Sequence, residues 1–153
     1  MTLDLCIVGA GECFREYYLP INGALHQDGV ARITSVIDVL DASKLNLPSG
    51  ITHIHPQNPN QPLSDLLKKI RPDVVILSHP NTFHVPDAKD LVENGHRVLV
   101  EKPFALSAGE LAIAEGLLQT GRLGLIEYYL FGKTAVLQIL AGTYAFEETQ
   151  EQV

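Results

Sequence analysis

Six short apolar runs punctuate the chain, and polar or turn-forming stretches separate them. Leu3–Val8 is the first, and Ala31–Ile37 follows with Ile33, Val36 and Ile37. Ile51–His55 is a shorter third. Asp73–Leu77 carries the unbroken Val74-Val75-Ile76-Leu77, Val98–Val100 is a fifth, and Leu123–Ile126 a sixth. Runs of this length without polar alternation predict strands buried on both faces, as in a parallel sheet.

The stretches between them carry helical spacing. Leu63, Leu66, Leu67 and Ile70 fall on one face of a helix predicted over residues 63–70, which Pro72 ends. A second helix is predicted from His84 to Asn94, with Pro86 in its first turn and Gly95 as its stop. The clearest runs from Ser107 to Thr120. There Ser107 caps, Glu110 completes a capping box, Leu111, Ala114, Leu117 and Leu118 make the apolar face, and Gly121 terminates. The helix after the first strand is the least regular, because Pro20 interrupts it.

Strands alternating with helices predict an α/β fold. The expected form is a Rossmann-type open, mostly parallel sheet with helices on both faces and right-handed crossovers. Ligands on such sheets bind beyond the carboxyl ends of the strands. The expected division is a domain over residues 1–127, followed by a helix or tail over 128–153. Residues 56–62, Pro-Gln-Asn-Pro-Asn-Gln-Pro, read as a polar loop.

Composition narrows the partners. The 153 residues are 46% hydrophobic and 19% charged, as in a globular domain. A domain of this size buries roughly 68–70% of its unfolded surface. A formal charge of −7 with no basic stripe argues against nucleic acid. No apolar run reaches about 18 residues, so no membrane span is expected, and no secretory leader is evident. A cytoplasmic location is the expectation. Cys6 and Cys13 fit neither a disulfide framework nor a metal cage.

Gly9-Ala10-Gly11 follows the first strand directly. In that position the first glycine allows a tight turn and the second lets backbone approach a pyrophosphate. The following helix offers free N–H groups to the anion. A complete fingerprint has a third small residue at position 14, where this chain has Phe14. Gly9, Gly11 and the adjacent Glu12 are therefore candidate cofactor-binding positions in an incomplete motif. Asp38 closes the second strand, where a carboxylate accepts from ribose hydroxyls and repels a 2′-phosphate. With Val39, Leu40 and Asp41 next, NAD is favoured over NADP, although Lys44 is close. Two further stretches, Ser78–His84 and Glu101-Lys102-Pro103, end the fourth and fifth predicted strands and are expected to face the same cleft. A lysine there can donate to a substrate hydroxyl or a cofactor ribose.

Taken together, Gly9-Ala10-Gly11, Pro80-Asn81-x-x-His84 and Gly95-His96-Arg97-Val98-Leu99-Val100-Glu101-Lys102-Pro103 resemble the glucose–fructose oxidoreductase / inositol dehydrogenase / MocA family. The resemblance covers about residues 3–127. It implies a nicotinamide dinucleotide as cofactor, with Gly9, Gly11 and Asp38 at cofactor-binding positions. Pro80, Asn81 and His84 match the loop near the nicotinamide end. Glu101 and Lys102 match the dinucleotide and substrate site, with Lys102 the catalytic contributor, and the family commonly has a cis Lys–Pro bond there. Family members carry a second α+β domain that binds substrate and supplies a catalytic histidine. Only Tyr128–Val153 follow the last predicted strand, so that domain is expected to be absent, and a small-molecule substrate is expected only where it is present.

Three readings follow. The chain is the dinucleotide-binding part of an oxidoreductase that transfers hydride to or from a sugar, polyol or related hydroxyl compound. Alternatively it is a stand-alone dinucleotide-binding regulatory module, or a structural module whose cofactor site Phe14 has closed. The remaining chemistry-bearing residues read blandly. His53 and His55 share a strand face but lack the companions a metal would need, and no metal site is expected. His26 and His96 read as surface or strand-end residues. Cys13 near a helix N-terminus can have a lowered thiol pKa, though an inert neighbour of the loop is the plainer reading. Tyr17-Tyr18 and Tyr128-Tyr129 read as packing residues. The apolar Ala135–Ala141 run predicts a homo-oligomer.

Overall fold

The structure, a computed structural model, describes residues 2–58 and 60–126. The six apolar runs form six strands: β1 (Leu3–Val8), β2 (Ala31–Ile37), β3 (Thr52–Ile54), β4 (Val74–Leu77), β5 (Val98–Glu101) and β6 (Leu123–Ile126). A π-helical turn, Phe14–Tyr18, leads into α1 (Leu19–Gln27). Next come α2 (Ala42–Leu45) and α3 (Leu63–Leu67). A short 3-10 turn, Asn81–Phe83, leads into α4 (His84–Glu93), and α5 (Ala108–Leu118) is the last helix described.

Strand order is β3-β2-β1-β4-β5-β6, and every neighbouring pair is parallel. The chain reverses direction across the sheet between β1 and β4, which makes their carboxyl ends the switch point where such sheets bind ligands. One apolar layer joins Cys6, Val8, Val75, Leu77, Val98 and Val100 to side chains of α3, α4 and α5. The opposite layer joins Leu5, Ile7, Ile33, Val36 and Ile76 to Phe14, Tyr18 and Leu45. The register slips between Leu5, opposite Ile33, and Cys6, opposite Ser35. Thr34 is the extra residue, and this bulge is what lets Ile33 and Val36 share a face despite their odd spacing.

Three helices depart from expectation for local reasons. Pro20 has no N–H, and its ring would strike the Glu16 carbonyl in a regular helix. The wider π turn over Phe14–Tyr18 precedes it, so the chain stays helical through the proline rather than breaking. The helix expected over residues 63–70 ends at Leu67. The N–H groups of Ile70 and Arg71 both donate to the Leu67 carbonyl, and Arg71 turns to a left-handed φ of 42°. On α5 only Ala114 and Leu117 are buried, while Leu111 and Leu118 are exposed, so its apolar face is narrower than the spacing implied. The tail over residues 128–153, with Tyr128-Tyr129 and the Ala135–Ala141 run, lies outside the described residues.

The cap of α5 matches expectation closely. The Ser107 hydroxyl accepts from the Glu110 N–H at 3.2 Å, while the Glu110 carboxylate reaches back to the Leu106 N–H, one residue before the cap itself. Ser107→Ala is expected to destabilise the fold by about 1 kcal/mol. Urea unfolding followed by circular dichroism checks this, and an unchanged midpoint would show that Glu110 alone holds the turn.

Candidate functional site

The carboxyl ends of β1, β2, β4 and β5 carry all the candidate residues. Gly9 has φ +95° and donates its N–H to the Ile37 carbonyl at 2.9 Å. A side-chain carbon at Gly9 would lie 2.8 Å from the His79 backbone nitrogen and Cα. Its glycine identity therefore serves the meeting of β1 with the β4 loop. Gly11 is different, because nothing lies within 4 Å of where its side chain would begin. That open space is where a ligand can meet bare backbone. Arg15 donates to the Gly11 carbonyl at 3.2 Å, which starts the helix and leaves the N–H groups before Arg15 without helical partners. Glu12 is exposed at this start.

Asp38 is half-buried, and its carboxylate spans two loops. One oxygen accepts from the Ala10 N–H at 2.6 Å, and the other from the Leu40 N–H at 2.7 Å. The residue thus ties the glycine turn to the end of β2, and each oxygen keeps a further lone pair for a donor from outside. On β3 a ring nitrogen of His53 faces the Asp38 carbonyl at 3.3 Å, and just after the strand one of His55 faces the Val39 carbonyl at 3.0 Å. Among the described residues no three His, Cys, Asp or Glu side chains converge as a metal site would need.

Phe14 is fully buried in the layer beneath β1 and β2. The π turn accommodates it there, and its ring does not reach the open space at Gly11.

The β4 loop and the β5 end form the other side of the cleft. His84 is 1% exposed, and both its ring nitrogens face backbone carbonyls: Nδ1 that of Pro103 at 3.0 Å, Nε2 that of His79 at 2.9 Å. It braces the two loops from beneath rather than presenting a nitrogen to the cleft. Burial pushes its pKa below the ordinary histidine value, against the two carbonyls, which favour the charged ring. His79 stacks on His84, with ring centroids 5.4 Å apart, and Nε2 meets the Asp87 carboxylate at 2.7 Å. Pro80 and Asn81 are exposed on the outer turn of this loop.

Glu101 is buried at the end of β5, where it accepts from the Tyr18 hydroxyl, with the Lys102 backbone N–H next along the chain favouring its charged form. Burial raises its carboxyl above the usual range, and Tyr18 and Lys102 work in the opposite direction. Lys102 itself is exposed, and the Lys102–Pro103 bond is cis, as the resemblance implied. Cys13 lies close enough to feel Glu101, Lys102 and Glu12. Partial burial, then the Glu101 charge, raise its thiol pKa, with Lys102 and the Ser78 hydroxyl pulling the other way. The thiol is thus raised rather than lowered, with burial the first cause and the Glu101 carboxylate the second.

The sequence brought Gly9, Gly11, Glu12, Asp38, Pro80, Asn81, His84, Glu101 and Lys102 to one edge of one sheet, as their strand-end placement required. It missed Tyr18, read only as packing, and the His79–Asp87 pair. No local signal joins Tyr18 to a residue 83 positions away.

Residues 3–120 match the family model described as an oxidoreductase family with an NAD-binding Rossmann fold (GFO_IDH_MocA). A glycosyl hydrolase family 109 protein from Shewanella sp. (strain W3-18-1) is 32% identical over an 81-residue alignment that covers 47% of this chain and 18% of the relative. The WlbA dehydrogenase from Chromobacterium violaceum, solved with NADH and UDP-GlcNAcA, superposes with a TM-score of 0.69 at 22% identity over 91% of this chain. The scyllo-inositol dehydrogenase from Lactobacillus casei, solved with NAD(H) and scyllo-inositol, gives 0.68 at 17% identity over 93%. This chain spans 38% and 42% of those two chains. At such identities the two likenesses speak to the fold. No helix among the described residues is long and apolar enough to cross a membrane.

Proposed function

The chain belongs to the GFO_IDH_MocA oxidoreductase family and contains its NAD-binding Rossmann domain, and from that premise we propose that it holds the cofactor of an enzyme acting on a hydroxyl carbon of a sugar, polyol or related compound. The observation that carries the reading is Gly11, whose open approach sits between the β1 turn and a helix start whose first N–H groups lack helical partners. These residues fit a dinucleotide. Gly11 and the N–H groups after it would receive the pyrophosphate. Asp38, with lone pairs left on both oxygens, would accept from the adenosine ribose, which favours NAD over NADP. When bound, the nicotinamide supplies the donor or acceptor of hydride. Glu12, Pro80 and Asn81 line the exposed rim, and His84 holds the loops on which they stand. Lys102 would donate to, or take a proton from, the reacting hydroxyl.

The likeness to a glycosyl hydrolase favours a second reading of the whole protein, in which the cofactor would serve glycoside cleavage without net oxidation. Cytoplasmic location and self-association belong to the same proposal.

Calorimetric titration of the 153-residue chain with NADH and NADPH tests the cofactor assignment. Saturable binding with NADH preferred is expected, and Gly11→Val, which fills the approach, should weaken it about tenfold, or 1.4 kcal/mol. Binding of neither nucleotide would sink this reading and leave a structural module as the alternative. A preference for NADPH would remove the role given to Asp38.

A further inference from the structure

Glu101 and Tyr18 are each 4% exposed, and they meet across the sheet. A buried carboxylate is costly unless donors surround it. Here the donor is the Tyr18 hydroxyl, on the helical turn that follows the glycine loop, while Glu101 itself adjoins Lys102 on the strand end that carries the candidate catalytic lysine, whose backbone N–H also favours the carboxylate. Alternation along β5 explains why they can meet. Val98 and Val100 face the α3–α5 layer, so Leu99 and Glu101 face the layer of Phe14 and Tyr18. Phe14 and Tyr18 bound the π turn, both are buried, and Pro20 is the local reason for that turn. The glycine loop and the lysine-bearing strand end are otherwise separated by β4 in the sheet. A single carboxylate joins them from beneath.

We propose that Tyr18 is a positioning residue: by holding the Glu101 carboxylate it fixes the Lys102 backbone, and so aims the lysine from the end of β5 into the cleft beside the glycine loop. The consequence for ligand binding rests on the dinucleotide reading above, whereas the hold on Lys102 does not. Tyr18→Phe keeps the buried ring and removes only the donor. Glu101→Gln keeps the shape but removes the charge that the Tyr18 hydroxyl and the Lys102 N–H favour.

Amide hydrogen exchange of the free chain, resolved by residue, reads the hold directly. Tyr18→Phe should speed exchange at Lys102 about tenfold while the central amides of β1 exchange as before. Glu101→Gln should shift Lys102 in the same direction, and it decides the matter if Tyr18→Phe does not fold. Unchanged exchange at Lys102 in the folded variants overturns the proposal. Titration supplies the second arm, since ADP reaches only the glycine loop and Asp38 whereas NADH extends toward Lys102. Tyr18→Phe should weaken NADH about fivefold and leave ADP unchanged. Equal weakening of both would mean that Tyr18 merely supports the helix, and the proposal falls. If the unsubstituted chain binds neither ligand, the dinucleotide reading fails on its own, and the exchange result still decides whether Tyr18 holds Lys102.

Discussion

Gly9→Ala is expected to unfold the chain or bring it close to unfolding, whereas Gly11→Ala, two residues away, is expected to change little. The two glycines occupy the same loop. They differ in their surroundings. An alanine carbon at Gly9 would stand 2.8 Å from two backbone atoms of His79 and 2.9 Å from the Ser78 carbonyl carbon. Backbone cannot swing aside as a side-chain tip can, so relief requires parting the end of β1 from the β4 loop. The φ of +95° adds strain for any L side chain. Together these should cost about 4 kcal/mol or more, a large part of the roughly 5–15 kcal/mol that holds a domain together. At Gly11 the added carbon meets nothing within 4 Å, and the change should remain within about 1 kcal/mol. Parallel urea titrations decide it: equal midpoints for the two variants would show that the close approach at Gly9 is not what its glycine is for.

That contrast also marks what the sequence could disclose. Leu3–Val8, Ala31–Ile37 and Leu123–Ile126 were legible to the residue from their apolar runs, although Leu125, on the edge strand, is half exposed. The positions of Gly9, Asp38, Lys102 and their neighbours at strand ends followed from those strands, since parallel strands bring all their carboxyl ends to one edge. What stayed hidden was set by contacts between distant segments. Asp38 was read as a ribose acceptor, yet its first partners are the N–H groups of Ala10 and Leu40. Phe14 looked like an obstruction because the motif assumes a regular helix, and the π turn before Pro20 changes where its ring goes. Leu111 and Leu118 of α5 sit at helical spacing but beside rather than on the stripe that Ala114 and Leu117 bury. Tyr18 has an ordinary apolar setting in sequence, and only the crossing of β4 reveals its carboxylate.

His84 illustrates the same limit and carries the other large expected effect. A ring with both nitrogens against carbonyls can satisfy only one of them while neutral, because a neutral imidazole has a single N–H. The charged ring would satisfy both, but burial opposes the charge and prevails, so the fold holds His84 below its ordinary pKa. A base whose folded pKa is lowered stabilises the fold above the unfolded value and loses that contribution as pH falls through the folded value. The window therefore opens below 6.5 and extends downward. His84→Ala removes the brace, takes away the one N–H that the neutral ring gives to a carbonyl and opens a cavity. It should destabilise the chain by about 3 kcal/mol at neutral pH, equivalent to a fall in Tm of roughly 6–12 °C for a domain of this size. Dinucleotide binding should weaken with it, since the loops bearing Pro80, Asn81 and Lys102 lose their common support. The pH dependence distinguishes this account from simple loss of packing. As the solution is acidified below 6.5, the unsubstituted chain should lose stability faster than His84→Ala, so that the gap between them narrows. Urea unfolding of both chains across about pH 8 to about pH 5 reads that gap. A gap that stays constant would mean the ring acts only as a packed side chain, and one that widens in acid would mean that the two carbonyls, not burial, set its charge.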